Sequence, residues 1–175
     1  MCYYLYLASP LTLSEVRSML APGLAAELLE RPEAQLLRDR HPDAQTVARL
    51  VHGACSCDLV RYRQPVSRED EAHLRTRYRA LGLSRDDIIR ALDNHRRALD
   101  RRQRAEGHWP QAVAAFAIEH ARNAGPTLYY LGFSHDGRLR IPPDAGPPVN
   151  LPVSAVQQDP LGWLPETRLT MVQRK

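Results

Sequence analysis

The side chains with the most chemical reach in this chain are its three cysteines, Cys2, Cys55 and Cys57. Two of them are separated by one residue in His52-Gly53-Ala54-Cys55-Ser56-Cys57. Alternate side chains of a strand share a face, so a Cys-x-Cys pair directs both thiols to one side. A third thiol on a neighbouring strand would complete a trio, and one nearby imidazole would make the trio a soft-metal site. Cys2 leads one strand-like segment and Cys55 and Cys57 follow another, so pairing of those segments would let the sulfurs converge. His52 is the expected extra ligand; Asp58 and His135 are weaker ones. Zinc would take such a set as a closed tetrahedron. An iron–sulfur cluster held by three cysteines would leave one iron open to a substrate.

Three other readings compete on the same residues. The plainest is that the cysteines are small, half-buried hydrophobes. A second is thiol redox chemistry, with Cys55 and Cys57 bridged to each other or one of them to Cys2. A third is N-terminal nucleophile catalysis by an amidohydrolase. Removal of Met1 would expose the α-amine of Cys2, which could act as base for its own thiol. Class II glutamine amidotransferases start in a similar way but carry Gly after the Cys. Tyr3 departs from that pattern, and the chain is short for their four-layer fold.

The opening Met-Cys-Tyr-Tyr-Leu-Tyr-Leu-Ala-Ser-Pro-Leu, followed later by Cys-x-Cys, resembles a group of small uncharacterised bacterial proteins. Those begin Met-Cys-Tyr-x-Leu-Tyr and carry a Gly-Cys-Gly-Cys-Gly segment after a Tyr-rich strand. Cys2, Cys55 and Cys57 match that pattern, while Ala54, Ser56 and Asp58 stand where the group has glycines. The match covers the first third of the chain and brings no activity with it. It implies that the three thiols belong together.

The bulk properties narrow the setting. A chain of 175 residues suits one domain with a real hydrophobic core, without disulfide staples. No apolar run approaches the ~20 residues of a membrane helix, and the first residues lack the basic region of an export signal. The expectation is a cytoplasmic protein, where thiols stay reduced and metal or redox chemistry is favoured over structural disulfides. The net charge is +4 and Lys175 is the only lysine. Arg96 to Arg104 is the densest basic stretch, but Asp93, Asp100 and Glu106 accompany it and aromatic residues do not interleave. Beyond this basic charge nothing points to nucleic acid, and partners are unknown. An Arg-rich helical hairpin acting as a plain interaction module is a further alternative.

The elements that must position the cysteines are readable in part. Residues 2–8 alternate as a strand. Thr12-Leu13-Ser14-Glu15 has the capping-box pattern, opening a helix to about Leu20 before Pro22-Gly23. Leu24 to Arg40 is ambiguous, with two short helical turns split by Pro32 as one solution. Gln45 to His52 alternates as a second strand. Ser67 and Ser84 are expected N-caps of two helices forming a hairpin, with Gly82 between them. Trp109-Pro110 starts another helix, closed by Gly125-Pro126. Thr127 to Phe133 is a strand, and Ser134-His135-Asp136-Gly137 predicts a turn that returns Arg138 to Ile141 as its hairpin partner. Leu151 to Val156 and Leu169 to Val172 are candidate short strands. The sum is a single compact α+β domain over residues 1–175, a small sheet from N- and C-terminal strands with a central helical hairpin.

Other residues carry bland readings. Ser134-His135-Asp136 spells a triad in order, but triads converge in space and a turn explains the sequence better. His120 is expected at the surface or boundary. The tyrosines of the two longest strands are expected to pack those strands. No phosphate-cradling glycine loop is present.

Overall fold

A computed structural model describes residues 2–52, 56–61, 71–105, 109–136, 138–142 and 145–175. Cys2–Ser9 forms β1, the strand around which the sheet is organised. After Ser9-Pro10 the chain enters α1 (Leu13–Ser18) through the expected capping box. Thr12 accepts the Glu15 N–H, and the Glu15 carboxylate accepts the Thr12 N–H at 2.8 Å. This satisfies two of the donors that a helix start leaves without partners.

The ambiguous stretch resolves into β2 (Ala25–Leu28) and α2 (Arg31–Arg38), not two helical turns. Pro32 does not split a helix; it lies in the first turn of α2, where a missing N–H costs nothing. β2 is an edge strand with one buried residue, Ala26, so it carries no readable alternation. Thr46–Val51 is β3 and pairs antiparallel with both β1 and β2.

The helices α3 (Asp58–Arg61), α4 (Glu71–Ala80), α5 (Arg85–Ala105) and α6 (Trp109–Ala124) follow. The Ser67 cap lies outside the described residues. Gly82 ends α4 with φ +76°, a left-handed conformation that glycine adopts without a Cβ clash. The Ser84 hydroxyl accepts the Asp87 N–H at 3.2 Å and so caps α5. α4 and α5 form the expected hairpin around Leu74, Ile88 and Leu92.

β4 (Thr127–Ser134) takes the other side of β1. Arg138 to Ile141 does not return as its hairpin partner. Both edges of β4 are occupied, by β1 and by β6 (Leu169–Gln173). The 138–142 segment instead crosses one face of the sheet, where Leu139 is buried and Tyr130 donates its hydroxyl to the Arg140 carbonyl. The segment around Leu151 is divided: Val149–Pro152 is β5, parallel to β6, and Val153–Gln158 is α7.

The sheet order is β2-β3-β1-β4-β6-β5. Alternation sorts its residues onto two faces. Leu5, Leu7, Leu50, Tyr129 and Leu131 face α1, α6 and α7, meeting Val16, Val113, Phe116 and Val156. Tyr6, Ala8, Val47, Leu128 and Tyr130 face Ala34 and Leu37 of α2. Helices on each face of one mixed sheet make an α+β architecture of three layers. No helix among the described residues is long and apolar enough to cross a membrane.

Candidate functional site

Cys2 and Cys57 map to the end of the sheet where β1 begins and β4 finishes. Cys2 is half-buried and lies in register with Ser134, and Tyr3 lies opposite Phe133. On the other side of β1, the β3 pairing stops at Leu5 opposite Leu50. Ser56 and Cys57 then take the place that β3 vacates. The Ser56 N–H donates to the Tyr3 carbonyl at 2.7 Å, and the buried Ser56 hydroxyl accepts the Leu5 N–H at 3.1 Å. Cys57 completes the pattern: its Sγ accepts the Tyr3 N–H at 3.4 Å. A hydroxyl and a sulfur thus replace strand carbonyls, so the start of β1 keeps its hydrogen bonds without a regular neighbour.

This arrangement seats the Cys57 sulfur against the backbone of the residue that follows Cys2. The two expected strands are adjacent, and neither Cys2 nor Cys57 is in a disulfide. Cys55 lies outside the described residues. Among the described residues no group of three or more His, Cys, Asp and Glu side chains is arranged to hold a metal.

His52 occupies a different position from the one its spacing suggests. Its ring stacks on Trp109, with centroids 5.2 Å apart and planes 9° from parallel, and it lies against Gly23. Trp109 belongs to the core on the Leu5/Leu50 face. Strand alternation puts Cys2 on the opposite face, with Tyr4 and Tyr6. The reason is parity: β1 and β3 pair Leu5 with Leu50, so even-numbered residues of β3 share a face with odd-numbered residues of β1.

Around Cys2 and Tyr3 the structure adds groups that the sequence did not signal. The Tyr3 hydroxyl donates to Glu166 Oε2 at 2.5 Å, and its ring tilts against Phe133 at 5.1 Å. Glu166 is fixed by its own backbone. It bridges to Leu131, and the next residue, Thr167, donates its N–H to the Leu131 carbonyl at 2.9 Å. Thr167 has φ +56°, a strained conformation for a β-branched residue. No sequence signal marks a partnership across 163 positions.

Ser134, His135 and Asp136 do not form a triad. Ser134 donates directly to Asp136 Oδ1 at 2.8 Å, and the His135 ring turns to Phe133 instead. That Ser134 bond, with further help from the Arg138 N–H and Arg140, holds the Asp136 carboxyl below the usual carboxylate range.

His120 is not a surface residue: it is fully buried on α6. Its Nε2 lies 2.8 Å from the buried Ser9 Oγ, which also accepts the Leu11 N–H at 2.9 Å. Which of the two groups donates in the Ser9–His120 bond depends on the imidazole tautomer. Burial pushes the His120 pKa down to about 4. Both partners are sealed from solvent, so the pair cannot meet an external substrate and acts within the core.

A scan against protein-family models gives no match. Searches of curated proteins and of solved structures give none either. The six strands named above belong to one sheet, which differs from the four-layer fold of the amidotransferases.

Proposed function

We propose that this is a cytoplasmic thiolate-site protein that binds zinc or an iron–sulfur cluster through Cys2, Cys55 and Cys57. The observation that carries the reading is the Cys57 sulfur, held on the Tyr3 N–H beside Cys2. A backbone N–H donating to sulfur orients a thiolate ligand and offsets its charge. The pairing of β1 with β3 supports the reading, since it puts Cys2 and Cys57 at the same end of the sheet. His52 is a less favoured fourth ligand, since its ring stacks on Trp109 on the face opposite Cys2. The fourth position of the site falls to water or to a small exogenous ligand, the open arrangement that suits chemistry more than structure.

Anaerobic purification followed by elemental analysis and a visible spectrum tests the reading. A colourless protein with stoichiometric zinc supports the tetrahedral site, and a brown protein with iron and sulfide supports the cluster. A metal-free protein with three freely titrating thiols defeats both. The amidohydrolase alternative is decided separately by intact mass, because a retained Met1 leaves no α-amine on Cys2.

A further inference from the structure

The chain's basic charge is concentrated in one place. Residues 71–105, which form α4 and α5, carry ten arginines and five acids, a net of +5 where the whole chain has +4. Within that hairpin the arginines differ in their partners. Arg90 is paired with Asp87 at 2.7 Å and Arg96 with Asp93 at 3.3 Å. Arg79 and Arg85 have no ion-pair partner among the described residues, and both line a cavity of about 480 Å³ with Arg75, Leu83, Ile88 and Ile89. The acids at the start of α5, Asp86 and Asp87, do not line it.

We propose that this cavity binds a small amphiphilic anion, a carboxylate with a medium-length apolar chain. Two features set the ligand class. Guanidinium groups bind a carboxylate in a forked, bidentate geometry, and they converge here from the end of α4 and the start of α5. The remaining described lining is aliphatic, from Leu83, Ile88 and Ile89, and Ile89 is 49% exposed. An inorganic anion would use the arginines and leave this surface wet. A neutral alcohol would cover the surface and leave the guanidinium groups unanswered. A single molecule with both parts uses the whole cavity, whose size falls in the usual range for small-molecule sites. Among the described residues the lining carries no aromatic platform that stacks bases, which argues against a nucleic-acid strand as occupant.

Titration calorimetry of the full chain with sodium decanoate tests the proposal, with 1-decanol and inorganic phosphate as the two half-ligands. The expected result is saturable binding of one decanoate per chain, with each half-ligand at least about tenfold weaker, and decanoate affinity that declines as salt is added. Arg79→Ala combined with Arg85→Ala, and separately Ile89→Glu, should each weaken decanoate at least about tenfold. These three positions are exposed, and retained helicity by circular dichroism verifies that the hairpin persists. No saturable decanoate binding overturns the proposal, as does affinity unchanged in both variants. Binding to phosphatidylglycerol vesicles or random-sequence RNA without decanoate binding also overturns it, and assigns the arginines to a polyanionic surface. Metal content is not part of this readout, so the cysteine site and the cavity stand or fall separately.

Discussion

β1 is buried by helices on both of its faces and hydrogen-bonded along both of its edges, whereas among the described residues α4 and α5 rest on a small cluster of Leu74, Ile88 and Leu92. The two regions have comparable local signals in sequence, capped starts and regular apolar spacing. They differ in what tertiary structure adds. In the sheet each apolar residue meets partners distant in sequence, so its loss is felt throughout the fold. In the hairpin the core is local and the outer surface is charged. The functions proposed for the two regions follow the same division. The end of the sheet at β1 seats a sulfur on a backbone N–H, and the hairpin carries an open, cationic cleft.

The largest effect should come from the sheet. Leu131 is fully buried on β4, and Leu131→Ala should cost about 3 kcal/mol of global stability in chemical denaturation. A loss below about 1 kcal/mol would mean that the two-sided core is looser than described.

His120 tests the same core through pH. Its pKa is depressed from 6.5 to about 4 because burial disfavours the charged imidazolium. The unfolded chain therefore binds a proton that the folded chain rejects as pH falls below 6.5. The associated stability is complete above that pH and is lost progressively down to about pH 4, on the order of 3 kcal/mol across the window. Denaturation of His120→Leu at several pH values should show a flatter profile over this interval. An unchanged profile would place the responsible proton elsewhere.

Leu92→Ala should cost about 2 kcal/mol, but locally. Hydrogen exchange should accelerate in residues 71–105 and remain slow in β1 and β4. Uniform acceleration would show that the hairpin and the sheet unfold as one unit, which erases the contrast between them.

The smallest effects belong to the caps. Thr12→Ala and Ser84→Ala should each cost about 1 kcal/mol, since each removes a side-chain acceptor from a helix start. Thr12→Ala should be read in the global midpoint and Ser84→Ala in hairpin exchange alone.

The sequence reveals those features whose cause is local. The Thr12–Glu15 capping box, the Ser84 cap, Gly82 and the alternation of β1, β3 and β4 all depend on residues a few positions apart. β2 escaped because a four-residue edge strand with one buried side chain has no period to detect. The hairpin partner assigned to Arg138–Ile141 failed because a turn signal cannot report that β6 already holds the free edge of β4. His120 was misplaced because its burial is set by Ser9, 111 positions away. The cysteines show both sides of this. The adjacency of β1 and β3 fits the alternation of both segments, and it puts Cys2 and Cys57 at the same end of the sheet. The face to which His52 belongs depends on register, which spacing does not contain.

Sulfur at the start of β1 is proposed to be a metal ligand. Metal per chain, measured on protein purified anaerobically as the natural sequence, as Cys2→Ser and as Cys57→Ser, decides whether it is. One equivalent of zinc, or iron with matching sulfide, is expected in the natural chain, with loss of most of it in both variants. A natural chain without metal, or full metal retained in Cys57→Ser, would contradict the proposal.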